Sequence, residues 1–209
     1  MVTTATDSNR SIRYDLQLVA SWIPPGARVL GLGCGDGALL NHLKRNKQAA
    51  CTGIDMDEAC VARCIERGLT VLQGDISKEV QDYPDNAFDF VILAQTLQQI
   101  YDPAPLIREM LRVGRHCVVS FPNFSHWRVR LMLALTGHAP VTPQLPYQWH
   151  NTPNIRVITL SDFRRYAREV GFTILKEVAI NTHRRDHSGR IVRTWPDLLA
   201  TYGIFLIAR

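Results

Sequence analysis

The chain has 209 residues, of which 46% are hydrophobic and 21% are charged, and its formal net charge is +5 at pH 7. This is the composition of an ordinary globular protein, and no apolar run approaches the roughly 20 residues that a membrane-spanning helix needs. The polar segment from Met1 to Arg10 lacks the apolar region of a signal peptide, so we expect a cytoplasmic protein. So small a charge, for this length, does not predict a nucleic-acid partner.

The length predicts one domain over residues 1–209, in which we expect the first residues, up to about residue 8, to be flexible. Five cysteines are few for this length and form no C-x-x-C pair, a pattern that favours free thiols. No spacing of histidine and glutamate is typical of zinc, so the sequence predicts no metal site.

Apolar periodicity predicts alternating helices and strands along most of the chain, beginning with a helix from Ile12 to Ile23. The next predicted elements are strand 28–32, helix 38–45, strand 50–54, helix 57–67, strand 70–73, strand 88–93, a helix from 102 to 114 and strand 118–121. A helix from residue 161, strand 173–180 and a last strand over 204–208 follow. Such alternation indicates a parallel sheet with right-handed crossovers. Ligands of such folds lie over the carboxyl ends of the strands, so we expect Gln95, Thr96 and Gln98, which follow strand 88–93, at the cleft.

The turn between the first strand and the second helix is unusually rich in glycine. The stretch from Val29 to Gly37 reads VLGLGCGDG. Its glycines permit positive φ angles and a close approach of a ligand to the backbone. Asp55 closes the next strand about 20 residues on, where a carboxylate can bond ribose hydroxyls. The pattern favours a nucleoside-binding unit, and the alternative is a tight strand–helix turn with surface aspartates.

The spacing of the glycines separates two ligand classes. Residues 33–37 read G-x-G-x-G, whereas a dinucleotide fold has G-x-G-x-x-G to seat a pyrophosphate at the helix N-terminus. Asp36 adds negative charge where that pyrophosphate would sit. The sequence therefore favours a ligand without phosphate.

With Asp55, and with Gly74-Asp75-Ile76 after the third strand, the motif resembles the class I methyltransferases that use S-adenosylmethionine (SAM). The resemblance implies an α/β Rossmann-like fold of three layers, with a mostly parallel seven-stranded sheet and an antiparallel edge strand. It also implies that Asp55 holds the ribose, that Asp75 lies by the adenine, and that SAM or S-adenosylhomocysteine is the ligand. The implied binding residues are Gly33, Cys34, Gly35, Asp36, Gly37, Asp55, Met56, Asp75, Ile76 and Gln95.

Gly31 departs from this family's pattern, because most members have an acid there that helps to hold the methionine end of SAM. The departure puts SAM affinity and methyl transfer in question. The alternative is that Gly31 only ends a strand and that water fills the gap.

Residues 125–160 interrupt the alternation of strands and helices. An amphipathic helix is predicted from His126 to Leu135, followed by prolines among aromatic residues. A long segment with little regular structure usually has a function, and aromatics with arginines are typical of interfaces. This segment is consistent with a substrate lid or with a partner-binding insertion. The alternative is a lid that packs on the sheet edge and only covers the core.

Several longer strings resemble the MetW family of methionine biosynthesis proteins. They are FPNFSHW at 121–127, LPYQW at 145–149, NTPNI at 151–155, QTLQ at 95–98 and EMLRVG at 109–114. The resemblance covers about residues 12 to 180 and implies an accessory role with homoserine O-acyltransferase. That enzyme supplies its own nucleophile, so the resemblance requires none here.

The alternative function is a SAM-dependent methyltransferase acting on a small molecule, which needs proximity and at most one base. The candidate bases are His126, Tyr147 and His150. A nucleic-acid methyltransferase is less well supported, because the place of its Asn-Pro-Pro-Tyr turn is taken by residues 95–97. The basic stretch over 183–193 predicts a hairpin-like loop, either solvated or able to dock an acidic partner.

Overall fold

A computed structural model describes residues 12–182 and 187–209. Within these ranges the strands are β1 (Arg28–Leu32), β2 (Ala50–Asp55), β3 (Thr70–Gln73), β4 (Phe88–Ala94), β5 (Gly114–Pro122), β6 (Thr173–Asn181), β7 (Arg190–Ile191) and β8 (Tyr202–Ala208). The helices are α1 (Tyr14–Trp22), α2 (Ala38–Lys47), α3 (Glu58–Glu66), α4 (Ile76–Glu79), α5 (Pro103–Val113), α6 (Trp127–Thr136), α7 (Leu160–Val170) and α8 (Pro196–Leu199). The first residues, up to about residue 8, which are predicted to be flexible, lie outside the described residues. So do residues 183–186 of the predicted basic loop.

The strands form one sheet in the order β3-β2-β1-β4-β5-β8-β6-β7. Strands β1 to β5 pair in parallel, and β8 runs antiparallel to both β5 and β6. The predicted α/β class and mostly parallel sheet are confirmed. The count is corrected from seven strands to eight, because the chain folds back along β6 for two residues as β7 and forms the antiparallel edge. The last strand, β8, lies two places in from this edge, between β5 and β6.

Two apolar clusters cover the two faces of the sheet and make the three layers. On one face, α1, α2 and α3 contribute residues such as Val19, Leu43 and Cys64. On the other, α5 and α7 contribute residues such as Ile107 and Phe163. Each fully buried side chain of this size stabilises the fold by about 1.5–3 kcal/mol. No helix in the described part of the chain is long and apolar enough to cross a membrane.

Helix α6 forms where a helix is predicted, but it is not amphipathic. Val129 is its one buried residue, whereas Leu131, Leu133 and Leu135 are exposed. The prediction of a one-sided helix was wrong because apolar residues occur around its whole circumference. Residues 137–159, which follow it, contain neither helix nor strand.

Asn123 ties the end of β5 to the loop that leads into β8. Its Nδ2 donates hydrogen bonds to the carbonyl oxygens of Asp197 (3.0 Å) and Ala200 (2.9 Å). Its Oδ1 accepts hydrogen bonds from the backbone N–H and the hydroxyl of Ser125, at 3.1 and 2.7 Å. The residue is 2% exposed, so water cannot replace these partners.

We predict that Asn123→Ala lowers the free energy of unfolding by about 3 kcal/mol, because it leaves two carbonyl groups and the Ser125 donors without this partner. Urea unfolding followed by circular dichroism measures the change. The exposed Asn46→Ala is the matched control and should shift the free energy by less than about 0.5 kcal/mol. Equal midpoints for the two variants would show that the Asn123 contacts contribute little.

His126 caps the N-terminus of α6 through its ring. Its Nδ1 accepts a hydrogen bond from the backbone N–H of Arg128 (3.3 Å), which requires the neutral imidazole. Burial lowers the pKa of His126, and the charge of Arg128 lowers it further. The unfolded chain therefore binds a proton at His126 more readily than the folded chain does.

We predict that stability falls as the pH drops below the unfolded histidine pKa of about 6.5, until the lower folded pKa is passed. His126→Asn keeps a capping oxygen and removes this titration. Between about pH 7 and pH 5, the thermal midpoint should fall less in the variant than in the wild type. Burial also lowers the pKa of His42, but His42 is present in both proteins, so parallel pH profiles would contradict the assignment.

Candidate cofactor-binding cleft

A cleft of about 690 Å³ opens at the carboxyl ends of the central strands. It lies where the strand order reverses, since β1 has β2 on one side and β4 on the other. Ligands of doubly wound α/β folds bind at this switch point. The fold therefore places the glycine-rich turn at the mouth of the cleft.

Nine of the ten predicted binding residues line this cleft. They are Gly33, Cys34, Gly35, Asp36, Asp55, Met56, Asp75, Ile76 and Gln95. Gly37 does not line the cleft. It directly precedes α2 with φ +73°, and a Cβ there would lie 2.5 Å from Leu69 and 2.7 Å from Cys64. Gly37 therefore serves the packing of α2 against α3.

The glycine-rich turn is held against the end of β2 by its own backbone. The N–H groups of Gly33 and Cys34 both donate to the carbonyl oxygen of Ile54, at 2.9 and 3.2 Å. Gly33 has φ +63°, and a Cβ on it would lie 2.6 Å from the Oγ1 of Thr96. Both the backbone conformation and the close approach to Thr96 therefore require glycine.

The three acids of the cleft accept hydrogen bonds from nearby backbone. Asp55 accepts from Gly35 N–H at 2.6 Å, and Asp75 accepts from Ser77 N–H at 2.9 Å, capping α4. Asp36 accepts from the N–H of Ala38 and pairs with Arg67 at 3.1 Å. Arg67 offsets part of the Asp36 charge, so repulsion of a phosphate at this point is weaker than the sequence suggests.

Gly31 also lines the cleft, and its surroundings explain how the missing acid is accommodated. A Cβ at this position would lie 3.1 and 3.2 Å from the methyl groups of Leu40 and 3.4 Å from Cys34 Cβ. The Leu40 side chain therefore lies close to the position that a side chain at residue 31 would take. An acid at position 31 would require Leu40 to move by a few tenths of an ångström.

An ion pair at the start of α1, between a partly exposed arginine and a buried acid, was missed from the sequence. Arg13 lines the cleft and donates to both oxygens of Asp15, at 3.1 and 2.9 Å. Gln95 Nε2 donates to the same carboxylate at 2.7 Å, and Asp15 is only 2% exposed. The only signal in the sequence was an arginine and an acid two residues apart at a helix start. The three side chains anchor α1 to the end of β4.

Two of the three residues predicted to reach the cleft after β4 do so. Gln95 and Thr96 line it, but Gln98 is buried and donates to the Gln95 carbonyl oxygen at 2.7 Å. A short 3-10 turn over Leu97–Gln99 directs Gln98 inward and brings Gln99 to the cleft instead. The prediction for Gln98 was wrong because this tight turn, with three residues per turn, points its side chain away from the cleft.

The candidate bases lie elsewhere. His126 lines a second cleft of about 690 Å³, which is formed by the end of β5, α6 and residues 141–145. Tyr147 and His150 are exposed and line neither cleft. The described residues around the first cleft include no histidine, tyrosine, lysine or glutamate. Burial raises the pKa of the Cys34 thiol, so Cys34 stays protonated and is a poor nucleophile.

The basic stretch over 183–193 is described only in part. Arg190 begins β7 and lines the second cleft, whereas Arg193 is exposed. The second cleft is lined by Arg128 and Arg190, and none of its described lining residues is acidic. All five cysteines are free, and of these Cys64 and Cys117 are buried.

The family model for "Methionine biosynthesis protein MetW" matches residues 13–207. A bifunctional methionine biosynthesis protein MetXA/MetW of Rhodopirellula baltica is 33% identical over 183 residues, which are 83% of this chain and 29% of that protein. A ubiquinone biosynthesis O-methyltransferase of Pseudomonas fluorescens is 28% identical over 156 residues, 71% of this chain and 66% of that one. The chain thus spans less than two thirds of the length of these relatives.

Solved structures agree on the fold. A SAM-dependent methyltransferase of Thermotoga maritima, described as a possible histamine N-methyltransferase, superposes with a TM-score of 0.66 at 17% identity, covering 93% of this chain and 87% of that one. At this identity the likeness shows the fold alone, which is that of SAM-dependent methyltransferases. Since the family model spans nearly the whole chain, the protein belongs to the MetW family of methionine biosynthesis proteins.

Proposed function

We propose that this protein is an accessory subunit of homoserine O-acyltransferase that raises the activity of that enzyme in the cytoplasm. In this proposal SAM or S-adenosylhomocysteine binds the first cleft as a signal from the end of the pathway. The observation that supports the proposal is a cleft lined by nine of the ten residues predicted to bind the cofactor, while all three candidate bases lie outside it.

The cofactor part of the proposal rests on the acids at the strand ends. Asp55, held by Gly35 at the end of β2, would bond the ribose hydroxyls, and Asp75 would lie beside the adenine. Met56 and Ile76 line the cleft next to these acids and offer apolar contact to a base. Arg13, which is partly exposed, is the one basic residue among the described lining residues of this cleft, and in the proposal it pairs with a carboxylate of the ligand.

The partner part of the proposal rests on the Rhodopirellula baltica relative. Its name joins MetXA and MetW in one chain, and this chain matches 29% of it. We take the MetXA part to be the acyltransferase. Joining two proteins in one polypeptide keeps them at high effective concentration, which suits partners that act together.

The second candidate is a methyltransferase acting on a small molecule. The ubiquinone biosynthesis O-methyltransferase of Pseudomonas fluorescens favours it, at 28% identity. Gly31 and the position of the candidate bases count against it. Methyl transfer from labelled SAM to a component of a metabolite extract would support this second candidate over the first.

We predict that about 1 mM S-adenosylhomocysteine raises the thermal midpoint of the wild type. At 100 times the Kd the stabilisation is about 2.7 kcal/mol, or about 5–10 °C for a chain of this size. Gly31→Asp should enlarge the shift, because it restores an acid at the methionine end. Gly31→Ala is the control, since it makes the same contact with Leu40 and adds no charge. If neither the wild type nor Gly31→Asp responds, the cleft does not bind this ligand.

We also predict that the wild-type protein co-purifies with homoserine O-acyltransferase from the same organism and increases its rate of homoserine acylation. The assay should be run with succinyl and acetyl donors. A methyltransferase of the same fold from another family is the control and should have no effect. An unchanged acylation rate with both donors would contradict the accessory role, whatever the cleft binds.

A further inference from the structure

Helix α6 presents an apolar stripe to solvent. Trp127, Leu131 and Leu135 are spaced four residues apart and therefore share one face of the helix. They are 41%, 46% and 75% exposed. Val129, on the opposite side, is buried, and Met132 lines the second cleft. The helix thus has one apolar face packed on the protein and a second one that nothing in the described chain covers.

Exposed apolar residues continue into the segment after the helix. Nine of the sixteen large hydrophobic side chains that are exposed among the described residues lie between 127 and 157. They include Trp149 at 77% and Val157 at 73%. A helix that is apolar all round is normally buried on all sides, and concentrated exposed apolar surface marks an interaction site.

The charged residues of this region are all basic. From Met110 to Ser161 the chain contains no aspartate or glutamate. Arg128 and Arg130 lie on α6 itself, and the guanidinium of Arg128 rests over the Trp127 ring at 5.3 Å. A partner surface that matches this region has to be apolar at its centre and acidic at its rim.

The charge decides between two kinds of occupant. A second copy of this chain, docked through the same face, would bring Arg128 and Arg130 against a region that is itself basic, with no acid from residues 110–161 to pair them. Like charges facing each other disfavour such a dimer. A different, acidic protein does not have this conflict.

From these observations we propose that the exposed face of α6, with the apolar residues up to Val157, is the docking surface for homoserine O-acyltransferase. The inference rests on the proposed function, and it assigns the contact with the acyltransferase to Trp127, Leu131 and Leu135. The relative in which the family sequence is joined to MetXA supports this choice of partner. We expect the matching surface of the acyltransferase to be apolar at its centre and acidic at its rim.

The test is the double variant Leu131→Glu with Leu135→Glu, which places two charges on the exposed stripe without touching the core. Ile65→Glu on α3, where Ile65 is 61% exposed, is the matched control on another helix. Calorimetry or surface plasmon resonance with purified acyltransferase should show binding weakened at least about 30-fold by the double variant, as for a hot spot of about 2 kcal/mol. The control should bind like the wild type.

Two further measurements separate the outcomes. The thermal shift with S-adenosylhomocysteine should be the same in the double variant and the wild type, which shows that the fold and cleft are intact. Arg128→Gln should slow association with the acyltransferase and reduce its dependence on salt, since Arg128 lies at the edge of the stripe.

The results that overturn the proposal are distinct. If the wild type binds the acyltransferase and the double variant binds equally well, the docking surface is elsewhere and the proposed function stands. If the wild type does not bind at all, both fail. If size-exclusion chromatography shows a wild-type dimer that the double variant abolishes, the occupant of the surface is a second copy of this chain.

Discussion

The architecture of the cleft depends on the close contact between the glycine-rich turn and the end of β2. Gly33 and Cys34 donate to the Ile54 carbonyl, and Gly35 donates to the Asp55 carboxylate. These bonds depend on the positive φ of Gly33 and Gly35, and a Cβ on Gly33 would also collide with Thr96. The same contacts orient the Asp55 carboxylate and direct α2 back over the sheet. The glycine motif is therefore a folding element that also lines the cleft.

The sequence predicts the local elements well and the long-range contacts poorly. The bounds of β1 and β3, and the glycine stop after α3, follow from apolar periodicity and from Gly68 in the left-handed region. The short strand β7 has no signal, because two residues are too few for a period to be seen. The inward turn of Gln98 was missed since 3-10 turns do not follow the spacing of an α-helix.

The same difference between local signals and long-range contacts applies to the candidate site. Glycine spacing and acids at strand ends identify nine lining residues, since each follows directly from its place at the end of a strand. The contact of Asp15 with Gln95 joins residues 80 positions apart, and no pattern in either segment indicates it. The packing of Leu40 beside Gly31 depends on how α2 lies over β1, so the reason why the glycine is tolerated became visible only in three dimensions.

A cofactor cleft can act as a sensor only if it is linked to the surface that a partner uses. Gln98 provides such a link. Its side chain donates to the Gln95 carbonyl at the cleft, and its own carbonyl accepts from the backbone N–H of Arg156. Arg156 lies in the apolar segment after α6 and covers the Tyr101 ring. Under the proposed function, these two hydrogen bonds are a direct connection between the cleft and the segment around Arg156.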